Sequence, residues 1–133
     1  MTVATTQSIY ASIRYREAMA AIDFLERAFG FERGMVVEGS DGTIHHAELR
    51  FGGEWIMLGS HNTGDDGRMA FEGGPAWTYV VVDDPDAHFE RARDAGAEIV
   101  RGLEDEDYGS RGYTARDPEG NLWSIGTYRP DSG

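Results

Sequence analysis

Cysteine is missing from all 133 residues, and that one absence removes disulfides, thiolate metal ligands and thiol nucleophiles together. Positive charge is scarce. Twelve basic residues face 24 acidic ones, for a net charge of −12, and such a surface repels phosphate backbones and anionic lipid, which argues against nucleic-acid and membrane partners. The same charge favours solubility and would steer a cationic small molecule. Apolar runs long enough to span a bilayer are lacking, as is a basic N-terminal stretch followed by an apolar one. Nothing therefore marks export, and the chain reads as cytoplasmic. No glycine set is followed by Lys-Ser or Lys-Thr, and there is no serine elbow, so phosphate-loop chemistry and covalent hydrolysis have no support. What remains is globular. At 40% hydrophobic and 11% aromatic, the chain can bury a core.

The most ordered stretch runs from Arg116 to Gly126. Asp117-Pro118-Glu119-Gly120 places proline at the second position of a type I turn. The residues after it read as a strand, which makes this the tip of a β-hairpin. Subtracting 67 lands Gly120 on Gly53, Leu122 on Trp55, Ile125 on Leu58 and Gly126 on Gly59. Val80 and Val82 land on Ile13 and Tyr15, and Ala92 and Ala95 on Leu25 and Ala28. One ungapped offset thus pairs strand, helix and hairpin, so the chain reads as a module written twice.

Residues from Ser8 to Tyr15 alternate, with Ile9, Ala11, Ile13 and Tyr15 on one face and Tyr10, Ser12 and Arg14 on the other, the pattern of a strand. From Ala18 to Phe29 the period becomes helical, and Gly30 suits the left-handed residue after a helix end. Met35-Val36-Val37 is a short second strand, Asp41-Gly42 a turn, and His46 to Leu58 a hairpin about Gly52-Gly53. That turn sets Glu48 opposite Met57 and Leu49 opposite Ile56. Ala47, Leu49, Ile56 and Leu58 then face the helix, while His46, Glu48, Arg50, Trp55 and Met57 face away. Residues 60–74 hold no periodic pattern and form a connector long enough to cover something.

The second module repeats this order. Trp77 to Val82 is a strand; Asp84 caps a helix with Pro85 in its first turn and Gly96 after its end. Ile99 to Leu103 is a short strand, Glu104 to Asp107 an acidic, solvated loop, and Tyr113 to Thr127 the closing hairpin. The expected fold is α+β: residues 1–133 as one domain of two tandem βαβββ modules, 8–60 and 75–128. Their mixed sheets would curve around a cleft carrying Tyr10, Trp55, Trp77, Tyr79 and Tyr113.

Three pieces carry a resemblance. They are Ala21-Ile22-Asp23-Phe24-Leu25 before Phe29-Gly30-Phe31, Val82-Asp83-Asp84-Pro85-Asp86-Ala87 before Ala95-Gly96-Ala97, and Asp117-Pro118-Glu119-Gly120-Asn121-Leu122-Trp123. From about Ile9 to Tyr128 the chain resembles the vicinal oxygen chelate superfamily of glyoxalases, bleomycin-resistance proteins and extradiol dioxygenases. The resemblance implies a homodimer, sometimes with exchanged modules, which the long connector would permit. It also implies where metal-dependent members hold His and Glu ligands: at the start of the first strand and late in the last strand of each module. Those places here are Tyr10 and Met57, and, 67 residues on, Trp77 and Ser124. A thioether, an indole and a serine hydroxyl do not replace imidazole and carboxylate around a hard divalent cation, and a phenol does so rarely. No metal or other cofactor is therefore expected. In this the chain is similar to the bleomycin-resistance branch, whose metal-free cleft sequesters a cationic drug.

The candidate ligand-binding residues are Tyr10, Arg14, Trp55, Met57, Trp77, Tyr79, Tyr113 and Ser124. The aromatics among them suit stacking and cation–π contact with a small molecule, or a subunit interface. His46 and Glu48 share a face and are candidate catalytic acid and base for a lyase or isomerase. The alternative is that the same pair is a polar contact, with Arg50 or Arg14, that organises the sheet. A displaced metal would need a third ligand, for which His61 in the connector is the candidate imidazole. A dimeric scaffold within a larger pathway is a further alternative. Arg111 could stand at the cleft mouth, or simply in the turn into the next strand.

Overall fold

The computed structural model describes residues 7–61, 75–106 and 109–130. They form two compact units, the first taking the chain up to Glu26 and from Gly30, the second taking Arg27–Phe29 and the chain from Pro75. In the first, β1 (Ser12–Tyr15), β2 (Glu32–Glu38), β3 (Ile44–Phe51) and β4 (Glu54–Ser60) form a sheet in the order β1-β4-β3-β2, with α1 (Ala18–Phe24) following β1. In the second, β5 (Trp77–Val81), β6 (Glu98–Asp105), β7 (Arg111–Arg116) and β8 (Leu122–Gly126) take the order β5-β8-β7-β6, with α2 (Pro85–Asp94) after β5. The first and last strands of each unit pair in parallel and the other neighbours antiparallel. This is the α+β architecture of two βαβββ modules.

Alternation explains which face is covered. Ile13, Tyr15, Ala47, Leu49 and Leu58 are all at most 4% exposed, as are the helical residues Ala18, Ala21, Ile22 and Leu25. Each large aliphatic side chain removed from water here contributes about 1.5–3 kcal/mol before entropy is counted. The hairpin about Gly52 has the expected register, Glu48 beside Met57 and Leu49 beside Ile56. In the second unit Asp84 accepts the Ala87 N–H at 3.0 Å with Pro85 in the first turn of α2. Trp123, Tyr113, Ala115, Ile125 and Ala92 form the core of that unit.

The two modules fall out of phase in a way the sequence offset hides. After Phe24 the first helix widens into a π-helical turn, Leu25–Phe29, before ending at Gly30 with φ 83°. Helix α2 has no such turn and ends at Gly96 with φ 94°. Ala18 and Pro85 start their helices 67 apart (85 − 18), yet the two capping glycines are 66 apart (96 − 30). The pairs Glu32–Arg50 and Glu98–Arg116 keep 66 (98 − 32 and 116 − 50). The second hairpin then restores 67, since Ser12–Met57 corresponds to Tyr79–Ser124. A π turn adds one residue to a helix, and the longer turn after β7 compensates for it.

That slip corrects one assignment directly. Moving a strand by one residue turns every side chain to the opposite face. Tyr113 therefore corresponds to Ala47 rather than to His46, and its ring lies on the α2 side, 1% exposed and edge-on to Phe89 at 5.2 Å. Other boundaries differ as well. The first strand starts at Ser12 rather than Ser8, and Ile9 is 87% exposed, because the Gln7 amide engages Trp55 and the Tyr10 hydroxyl donates to the Gln7 carbonyl. Strands β2 and β6 are longer than expected. Glu104 and Asp105 are solvent-exposed as expected but end β6 instead of lying in a loop, and they pair with Arg101 and Arg111. Residues 62–74 of the expected connector, Asp107 and Tyr108 lie outside the described residues.

Candidate functional site

Each sheet leaves one face free of its helix, and each such face holds a hollow. The first, of about 260 Å³, is lined by Tyr10, Glu48, Trp55 and Met57. Trp55 and Met57 alternate onto this face along β4, and Glu48 is the cross-strand partner of Met57. The wall is fixed from behind. A Cβ on Gly34 would sit 2.5 Å from the Trp55 ring, so only glycine lets the indole lie against β2. The Gln7 side chain donates to the Trp55 carbonyl at 2.8 Å and accepts its N–H at 2.7 Å, in place of a strand partner. Arg50 lies 6.0 Å from the indole centroid and donates to Glu32 at 3.0 Å.

Beside the lining residue Glu48 stands His46: His46 Nε2 and Glu48 Oε2 are 2.9 Å apart, with side chains 32% and 35% exposed. Two strand neighbours on one face can meet in this way, whereas His45 points elsewhere. Arg14 extends from β1 on the same side as Ser12, whose Cα partner is Met57. Its guanidinium occupies the space that a side chain on Gly59 would fill.

The second hollow, of about 420 Å³, is more polar and is lined by residues that include Tyr79, Arg101, Ser110, Thr114, Ser124 and Tyr128. Ser124 is committed on two sides: it accepts the Trp77 indole N–H at 2.8 Å and shares a hydrogen bond with Thr114 at 3.0 Å. Trp77 is 70% exposed, so its ring covers Ser124 from outside. Tyr79 donates to the Tyr128 carbonyl at 2.7 Å. Arg101 is held by Glu104 and Glu106. Tyr113 contributes to the edge of this hollow, but its hydroxyl goes to His88 Nδ1 at 2.6 Å on the opposite side.

The four positions singled out by the resemblance, Tyr10, Met57, Trp77 and Ser124, present no imidazole or carboxylate. The indole N–H of Trp77 is a donor spent on Ser124, the Tyr10 phenol donates to the Gln7 carbonyl at 3.0 Å, and Met57 offers a thioether. These donors do not suit a hard divalent cation. Among the described residues, His61 included, no three of His, Asp or Glu stand close enough to hold one.

Sequence reasoning missed His88. Its Nε2 donates to the Phe29 carbonyl at 2.9 Å, so Nδ1 is left to accept from Tyr113, and the ring stacks on Phe29 at 5.8 Å. Burial lowers its pKa, the Phe29 hydrogen bond opposes that, and Arg91 lowers it further. Burial raises that of Tyr113. The signal was present: Pro85, His88 and Ala92 share a helical stripe. Gln7 and Gly59 carried none, because the Gln7 amide pairs with the backbone of a distant residue and Gly59 acts by having no side chain.

Residues 7–125 match the sequence profile of the Glyoxalase/Bleomycin resistance protein/Dioxygenase superfamily. An uncharacterised protein of Mycobacterium bovis is 37% identical over 115 residues, covering 83% of this chain and 76% of that one. The crystal structure of TioX from Micromonospora sp. ML1 is 35% identical with a TM-score of 0.77, over 92% of this chain and 99% of that one. A lactoylglutathione lyase from Agrobacterium tumefaciens shares the fold at 19% identity and a TM-score of 0.69, over 93% and 95% of the two chains.

Proposed function

The chain belongs to the Glyoxalase/Bleomycin resistance protein/Dioxygenase superfamily, and from that premise we propose that it is a metal-independent small-molecule-binding protein. The ligand is an aromatic or cationic compound, an antibiotic or a metabolite, which the protein sequesters in the cytoplasm as a homodimer. One observation carries the reading: the four places where relatives would hold a metal present Tyr10, Met57, Trp77 and Ser124, and two of these line a hollow walled by Trp55. An indole, a phenol and a thioether suit a flat apolar ligand, and one carboxylate, Glu48, supplies a polar contact. Among the described residues no helix is long and apolar enough to cross a membrane.

Isothermal titration of a panel of planar aromatic compounds, with and without excess EDTA, tests this. Binding should be unchanged by the chelator and weakened at least about tenfold by Trp55→Ala, within the range seen for a stacked aromatic. Affinity that vanishes with EDTA would overturn it.

A second reading rests on the 2.9 Å contact between His46 and Glu48, which is the geometry of an imidazole oriented by a carboxylate. The protein would then be a lyase or isomerase that moves a proton. His46→Ala should abolish turnover with binding retained.

A further inference from the structure

Most arginines among the described residues hold a carboxylate or another partner; Arg27 holds none but is exposed, whereas Arg14 is half-buried. Arg33, Arg50, Arg93, Arg101, Arg111 and Arg116 each hold at least one acidic side chain. Arg14 is half-buried and has no ion pair among the described residues, in a chain with twice as many acidic as basic groups. A half-buried guanidinium without a counter-charge is costly unless something else supplies one. Its position is also built. Gly59 is 3.2 and 3.3 Å, measured from where a Cβ would be, from the carbonyls of His45 and Ile44, and the Arg14 guanidinium lies in the slot that the missing side chain leaves. The repeat confirms that this is not a requirement of the fold: 67 residues on from Arg14 stands Val81, beside Gly126.

Arg14 lies on the same face as the first hollow, one alternation beyond Ser12 and Met57. Trp55 and Gly59 are four residues apart along β4, about 13 Å at about 3.3 Å per residue, and the Arg14 guanidinium lies over Gly59 at the far end from Trp55. Glu48 lies between, opposite Met57. We propose that Arg14 is the anion anchor of this hollow, and that its ligand is an aromatic carboxylic acid. The planar ring rests on Trp55 and Tyr10, and the carboxylate meets the guanidinium beyond Glu48. A planar fork of N–H donors is suited to a carboxylate, and a basic group on the ligand between ring and acid would also satisfy Glu48. The inference rests on the reading of this hollow as a binding site and adds the charge of what fills it.

The test is titration of the full chain with 2-naphthoate and, separately, with the neutral 2-naphthamide, in the wild type, Arg14→Gln and Gly59→Ala. The wild type should prefer the acid by at least about tenfold, the effect of one charge-assisted hydrogen-bonded pair. Arg14→Gln should erase the preference, weakening naphthoate at least about tenfold more than naphthamide. Gly59→Ala should do the same by displacing the guanidinium with the arginine still present. Equal binding of acid and amide by the wild type, or an acid preference that survives Arg14→Gln, overturns the anchor and leaves the hollow standing as a binding site. Failure of the wild type to bind either compound overturns both.

Discussion

Asp117 shows how much one side chain can hold. It is 4% exposed, and its two oxygens accept from the Glu119 and Asn121 N–H groups, the Asn121 amide and the Trp123 indole at 3.0–3.3 Å. Asn121 in turn accepts the Ala76 N–H at 2.8 Å, fixing the entry to β5. The turn motif is therefore a staple between hairpin and first strand, and Pro118 merely shapes its bend. Asp117→Ala strands four donors, three of them buried, and should cost about 3 kcal/mol or more in urea unfolding. His88 gives a pH dependence. Its folded pKa is lowered chiefly by burial, so the neutral ring contributes stability in full above its unfolded value of about 6.5 and loses it as pH falls through the folded value. The Tm difference between wild type and His88→Gln should accordingly shrink as pH is taken below about 6.5. A difference that grows on acidification would refute the assignment.

At the scale of elements, what the sequence disclosed depended on whether the signal was local. Gly30 and Gly96, both at positive φ, mark the helix ends as expected, and Gly52 fixed a register in which Glu48, Trp55 and Met57 share a face. The π turn was invisible because Leu25, Ala28 and Phe29 satisfy an apolar stripe with or without the extra residue. From that one residue came the misplacement of Tyr113, and with it the view that the two faces match. They do not: the positions equivalent to His46 and Glu48, 66 residues on, are Gly112 and Thr114. The His46–Glu48 contact thus exists in one module only. The π turn also delivers Phe29, 1% exposed, to a position where it packs on His88 and Trp123 at 5.8 and 5.5 Å. Phe29→Ala should cost about 3–5 kcal/mol, measured by the same unfolding assay, and a loss below about 1 kcal/mol would show that the turn is not part of the core.

For the whole molecule, charge is the dominant quantity. The basic residues are all arginine, and the net charge is −12. Arginine pairs such as Arg111 with Asp86 and Asp105 are exposed and contribute little individually. Self-repulsion of the surplus carboxylates acts over the whole surface and is screened within about 8 Å at physiological ionic strength. Adding sodium chloride from a low-salt buffer should therefore raise the Tm at neutral pH; a lower Tm would mean that the arginine pairs outweigh the repulsion.

The three tryptophans occupy three different surroundings: Trp123 is sealed in the core against a carboxylate, Trp55 walls the hollow, and Trp77 stands in solvent on its Ser124 hydrogen bond. They amount to three built-in optical probes. Acrylamide, being uncharged, should quench Trp77 first; a ligand in the first hollow should alter Trp55 emission alone; and Trp123 should respond only when the fold opens. A Trp77→Phe variant would leave an emission that separates occupancy from unfolding in a single cuvette.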